Sequence, residues 1–285
     1  MPDFHSWRSY QEFAQRVRRE NRYFRDIALD TFCKTVIGTS AKRKKRIKKG
    51  IVLCRSQIGE YEGPLRQGDL DNKDQPFALL PPRMTPLTNR ALEGRANPKG
   101  IPYLYLATDR ATGIAESRAG RSEAISVGTF KVKRDLLVVD CSLQTDELPA
   151  FYFKEPAPKK RTIAVWRDID RAFSQPINRS DEAADYAPTQ ILAELFKRNG
   201  FDGIVFRSSL AAGHNVVLFD LKAAELTGCC LYENTQIRLE FEQAGNPYVV
   251  DHGKVYWNTI ELLGPAKSAA VRIPRRRKIE FKRDS

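Results

Sequence analysis

The chain has 285 residues, with 48 Lys and Arg against 35 Asp and Glu, a formal charge of +13. Its 41% hydrophobic and 10% aromatic content supports a buried core and argues against a wholly disordered chain. No apolar run nears the ~18–20 residues of a membrane span, no apolar signal segment opens the chain, and the five cysteines are scattered without a C-x-x-C, so a reducing, cytoplasmic setting is expected without disulfides or structural zinc.

The charge is concentrated. Lys42–Lys49 (KRKKRIKK) holds seven cations, and Arg272–Arg283 (RIPRRRKIEFKR) holds seven with one acid. That leaves 34 cations against 34 acids elsewhere, so no basic domain surface is implied and nucleic acid is not expected as the main substrate. Both runs read as solvated segments, the first a linker and the second a tail.

In chain order, Trp7, Tyr10, Phe13 and Val17 recur at helical spacing behind a Ser9-x-x-Glu12 capping box. Phe24, Ile27, Phe32, Val36 and Ile37 predict a second helix. Ile51–Cys54 predicts a short buried strand ending at Arg55. Residues 60–100, rich in Gly, Pro, Asn and Asp, read as a long connection. Tyr103–Ala107 predicts a strand whose two tyrosines share a face. Thr108-Asp109 then caps a helix running through Glu116. Strands follow at Val127–Val132 and Leu136–Val139. Pro188 and Gly200 bracket a helix over Asp185–Gly200. Ile204–Phe206 and Val216–Phe219 predict strands on either side of a Ser/Gly loop, and Gln236–Glu242 alternates as a half-exposed strand. The expected organisation is a helical N-terminal extension with basic linker (1–49), a catalytic domain (50–235), and a β-rich C-terminal extension with basic tail (236–285).

Several chemistries lack a motif. The three histidines, His5, His214 and His252, are far apart, and there is no H-E-x-x-H. The chain also lacks G-x-x-x-x-G-K-[ST], G-x-G-x-x-G and G-x-S-x-G. What remains is three segments of uncommon polar residues at strand and helix ends. They are Arg55-Ser56-Gln57; Gly94-Arg95-Ala96-Asn97-Pro98 through Tyr103–Ala107 to Ala115-Glu116; and Asp185–Gln190 through Gly200–Ser209 to Gly213-His214-Asn215.

This ordered string, from about Arg55 to Asp220, resembles the RES-domain family, named for its Arg, Glu and Ser. Arg55, Glu116 and Ser208 look like the name-giving residues. Arg95 competes for the arginine and Ser209 for the serine. Tyr105 occupies the place of the family's tyrosine, eleven positions before the glutamate. The resemblance implies an α+β fold similar to ADP-ribosyltransferases: a mixed β-sheet core with flanking helices, here with an N-terminal helical extension. It implies an enzyme that destroys NAD⁺ by phosphorolysis or hydrolysis of the nicotinamide–ribose bond. NAD⁺ is then a substrate, phosphate is the candidate co-substrate, and no cofactor or metal is called for. Many members act as toxins held inactive by a helix-turn-helix antitoxin. The N-terminal helices suit docking on the catalytic portion, self-association into a homo-oligomer, or an antitoxin.

These residue types suit that chemistry. Nicotinamide leaves neutral, and the ribose carbon gains oxocarbenium character, so a fixed carboxylate beside it is the main need. Glu116 is placed for that role. Arg55, or else Arg95, offers a planar fork to the diphosphate. Tyr105 offers an aromatic face to a cationic ring. Ser208 offers one hydrogen bond to substrate. Asn97, Tyr186, Gln190 and Asn215 read as loop-shaping residues, with Asn215 also a candidate substrate contact.

Overall fold

The computed structural model describes residues 3–20, 22–23, 26–62, 76–87, 91–144, 152–175, 183–236, 248–251 and 254–257. The chain divides into two compact units, Met1–Thr235 and Gln236–Ser285. In the second, strands Tyr248–Asp251 and Lys254–Trp257 form an antiparallel hairpin. The strand expected over Gln236–Glu242 lies, beyond Gln236, outside the described residues, as does the Arg272–Arg283 run.

The first unit is built on an eight-stranded mixed sheet with flanking helices, an α+β fold. Its strands are β1 (Lys44–Ile47), β2 (Val52–Ile58), β5 (Leu104–Ala107), β6 (Ala124–Val132), β7 (Leu136–Asp140), β8 (Gly203–Arg207), β9 (His214–Leu218) and β10 (Ala224–Glu233). A small pair, β3 (Glu60–Tyr61) with β4 (Phe77–Ala78), stands apart from the sheet within the long connection. The sheet order is β1-β7-β8-β9-β5-β2-β6-β10, with only β7 and β8 parallel.

Strand side chains alternate between two cores, as the pleat requires. Tyr103, Val139, Ile204, Phe206 and Val217 join Trp166, Phe173 and Phe196 on one face, with Tyr105 packed against them. Leu104, Leu106, Val138, Val205, Val216 and Leu218 join Phe130 and Met84 on the other. The first face is covered by α1 (Ser9–Arg19), α2 (Ile27–Ser40), α5 (Pro158–Ser174) and α6 (Ala187–Arg198). Phe13 and Phe32 stack with ring centroids 4.4 Å apart inside that same core. Each fully buried side chain of this class stabilises the fold by roughly 1.5–3 kcal/mol.

Several local expectations change. Ser9 does not cap α1: it is the first helical residue, and its Oγ donates back to the Ser6 carbonyl at 2.7 Å. Glu12 instead meets His5 Nε2 at 2.8 Å. The second helix starts only at Ile27, because Asp26 caps it by accepting from Leu29 N–H at 2.9 Å. The basic run is not a free linker, since Lys44–Ile47 forms an edge strand antiparallel to β7. Cations along an exposed edge also discourage further strand pairing. Helix α5 and strand β10 were not anticipated at all. No helix among the described residues is long and apolar enough to cross a membrane.

Candidate active site

The site forms where the sheet splits. Strands β2 and β5 share one paired position, Cys54 with Ala107, and then separate. Arg55 follows at this point, and its Nη1 donates to the Tyr105 carbonyl at 3.1 Å. A side chain thus satisfies a carbonyl that a ladder would otherwise have used.

Immediately after β5, Asp109 starts the helix α4 (Arg110–Ser117). Its carboxylate accepts from Thr112 N–H and Thr112 Oγ1, each at 2.8 Å. The β8–β9 loop locks onto the same turn. Thr108 N–H donates to His214 O at 2.9 Å, His214 N–H to Thr108 Oγ1 at 3.0 Å, and Ser208 N–H to Gly213 O at 3.1 Å. Gly213 must lack a side chain here, because a Cβ would overlap Asp109 Oδ2 and Thr112 Oγ1.

That lock brings residues 92 and 99 positions apart onto one carboxylate. Ser208 Oγ and Asn215 Nδ2 each donate to Glu116 Oε1 at 2.7 Å. Ser208 Oγ is fixed in turn by accepting from Leu210 and Ala211 N–H at 3.1 and 3.2 Å. Glu116 Oε2 has no hydrogen bond among the described residues. Glu116 is therefore no surface partner of Arg118 or Arg121; it is a held acceptor with one oxygen available.

The carboxylate faces a cleft of about 280 Å³, just below the ~300–1,000 Å³ usual for ligand sites. Arg55, Arg95, Tyr105, Tyr186 and Asn215 line it with Glu116, and Cys54 and Ser56 join them. Both competing arginines thus reach the same cleft. Burial lowers the pKa of each guanidinium, and for Arg95 the nearby Glu116 opposes that shift. A guanidinium is not deprotonated in proteins, so both keep their charge. Arg95 Nη1 donates to Phe173 O at 3.0 Å. Arg55 Nε and Ser56 Oγ are buried with no hydrogen-bond partner among the described residues.

The Tyr105 hydroxyl is already engaged. The OH donates to Asn97 Oδ1 at 2.7 Å and accepts from Ala96 N–H at 3.0 Å. Burial raises its pKa beyond the ordinary phenol value, so it is a poor proton source. Gln190 Nε2 clamps the same loop through Gly94 O and Asn97 O, both at 3.1 Å. Gly94 is needed for this closure, since a Cβ would sit 2.7 Å from Tyr105 OH.

Two expected contacts move. Ser208 is not among the residues lining the cleft; its hydroxyl donates to Glu116 and backs the carboxylate. Ser209 points elsewhere, donating to Ser174 O at 3.0 Å. Ser56, Cys54 and the cleft-lining part of Tyr186 were missed. Only their place beside Arg55 or in the Asp185–Gln190 segment hinted at them. Among the described residues no three His, Cys, Asp or Glu side chains gather as a metal site.

The RES domain model matches residues 75–241, more than half of the chain. The chain belongs to the RES-domain family. The match contains Arg95, Tyr105, Glu116, Ser208 and Asn215 and begins after Arg55. No curated protein matches the chain significantly. Among solved structures, the crystal structure of the M. tuberculosis MbcT–MbcA toxin–antitoxin complex is similar at 15% identity, over 70% of this chain and 92% of that one, with a TM-score of 0.36.

Proposed function

We propose that this RES domain binds NAD⁺ and cleaves its nicotinamide–ribose bond. The observation that carries the reading is Glu116, held on one oxygen by Ser208 and Asn215 and facing a cleft with two arginines and a tyrosine ring. The C–N bond breaks with its electron pair leaving on neutral nicotinamide. Glu116 Oε2 stabilises the positive charge that develops on the sugar or orients its hydroxyl. Water or phosphate forms the new C–O bond, and its proton passes to solvent. Arg55 and Arg95 hold the diphosphate, and Tyr105 lies against the pyridinium.

Purified protein incubated with NAD⁺, with and without phosphate, is expected to release nicotinamide. A phosphate requirement identifies phosphorolysis, and turnover without it identifies hydrolysis. Label from NAD⁺ on a protein or nucleic acid would instead identify ADP-ribosyl transfer. Absence of both turnover and binding rejects the proposal. A cytoplasmic toxin role, with a helix-turn-helix antitoxin as partner, extends the reading. Expression in a bacterial host should then arrest growth and deplete NAD⁺, and the Glu116→Gln variant should do neither.

A further inference from the structure

The Ser208–Glu116 contact depends on where β8 ends, and a buried carboxylate outside the cleft fixes that end. In β8, Val205 O accepts from Cys141 N–H at 2.8 Å, so odd-numbered residues point their amides towards β7. Strand β7 stops at Asp140, paired with Val205, and so ends short of Arg207. Asp170, fully buried on α5, takes that place. Its Oδ1 accepts the Arg207 N–H at 3.1 Å and its Oδ2 accepts Arg207 Nε at 2.7 Å. The next residue is Ser208.

The same helix end holds two more pieces of the site. The last carbonyls of a helix have no intrahelical donors. Here Phe173 O accepts from Arg95 Nη1 and Ser174 O from Ser209 Oγ, each at 3.0 Å. The negative end of the helix dipole favours both nearby cations. Only Asp170 of this ion pair is fully buried, the Arg207 side chain being 36% exposed, and desolvation of the carboxylate offsets part of the attraction, so the pair is a poor source of stability. Its geometry, however, is specific: two acceptor oxygens fix a main-chain amide and a guanidinium at once.

We propose that Asp170 is a positioning residue for Glu116, acting through Arg207 and Ser208, with the C-terminal turn of α5 as the common anchor of the site's back wall. This rests on the NAD⁺-cleaving reading above for its kinetic consequences and on geometry alone for its structural one. Loss of the anchor lets the 207–209 segment shift, so Ser208 Oγ leaves Glu116 Oε1. Displacement of a reacting group by about 1 Å lowers rates about 100-fold.

The experiment compares Asp170→Asn, Ser208→Ala and the double variant. Each single change should lower kcat for nicotinamide release by about 10–100-fold, with KM for NAD⁺ within about 3-fold of wild type. The double variant should be no slower than the slower single, because both remove one chain of contacts. Multiplying losses, or a loss confined to KM, would overturn the proposal. A crystal structure of Asp170→Asn should show Ser208 Oγ and Glu116 Oε1 beyond hydrogen-bond distance, against 2.7 Å in the native chain. An unchanged distance would also overturn it. If the native protein cleaves no NAD⁺, the functional reading fails while this distance still decides the role of Asp170. If Asp170→Asn does not fold, Arg207→Lys replaces it: it keeps the amide and the charge but loses the fork. A smaller change in the same direction is expected from it.

Discussion

The two walls of the cleft are built differently. On the α4–β9 side, Glu116 is held by Ser208 and Asn215, and Ser208 by two further amides. On the β2–β5 side, the strands part, and Arg55 Nε and Ser56 Oγ are buried without partners among the described residues. The first wall is pre-organised: the donors that fix the carboxylate are in place before any ligand arrives, so no reorganisation is needed at the reacting centre. The second is unsatisfied, and an unmade buried hydrogen bond costs about 1–3 kcal/mol. A ligand that supplies acceptors there recovers that energy. On the proposed reading the chemistry belongs to one wall and the affinity to the other.

The sharpest test of the split is Glu116→Gln. It keeps the shape and the two inward bonds but removes the charge, so kcat should fall at least about 100-fold. Thermal unfolding should be close to native. Turnover near wild type would mean that the held carboxylate is not the reacting group.

Arg55→Gln and Arg95→Gln should act on the other parameter. A charge-assisted hydrogen bond contributes about 1.5–3 kcal/mol, so each should raise KM about 10–100-fold with a smaller change in kcat. Steady-state kinetics at several NAD⁺ concentrations separate the two. A pure kcat effect from Arg55→Gln would break the division between walls.

The smallest expected effect is the most diagnostic. Ser56→Ala removes a buried hydroxyl that has no partner among the described residues, so the free protein should be unchanged or up to about 1 kcal/mol more stable. NAD⁺ should then raise its unfolding midpoint less than it raises the native protein's. Equal ligand stabilisation in the two proteins would show that the Ser56 hydroxyl does not meet ligand.

Much of this wall-by-wall plan was readable in advance. The Tyr103–Ala107 strand, the Asp109 cap and the position of Glu116 near the end of α4 follow from local signals, because caps and alternation act over a few residues. Arg55, Arg95 and Tyr105 were legible as candidates through the family resemblance, and all three line the cleft. The basic run misled because charge pattern reports solvation and not strand pairing; β1 pairs with β7 about 90 residues away. Helix α5 was overlooked although Val165, Ile169 and Phe173 repeat every fourth residue and Pro158 stands in its first turn. Its charges masked an apolar face, and Asp170, which looks like a solvent residue, is fully buried.

The sequence by itself determined the elements that local chemistry governs, and it supplied the polar residues of one family in order. It also set the two candidate arginines and two candidate serines without choosing between them. Tertiary structure decided their placement, since this depends on which strands diverge and which helix end abuts which loop. It brought both arginines to one cleft, turned Ser208 inward onto Glu116 and sent Ser209 to the end of α5. A hydrogen bond reaches about 3 Å, and no sequence interval reports which residues 92 positions apart will come that close.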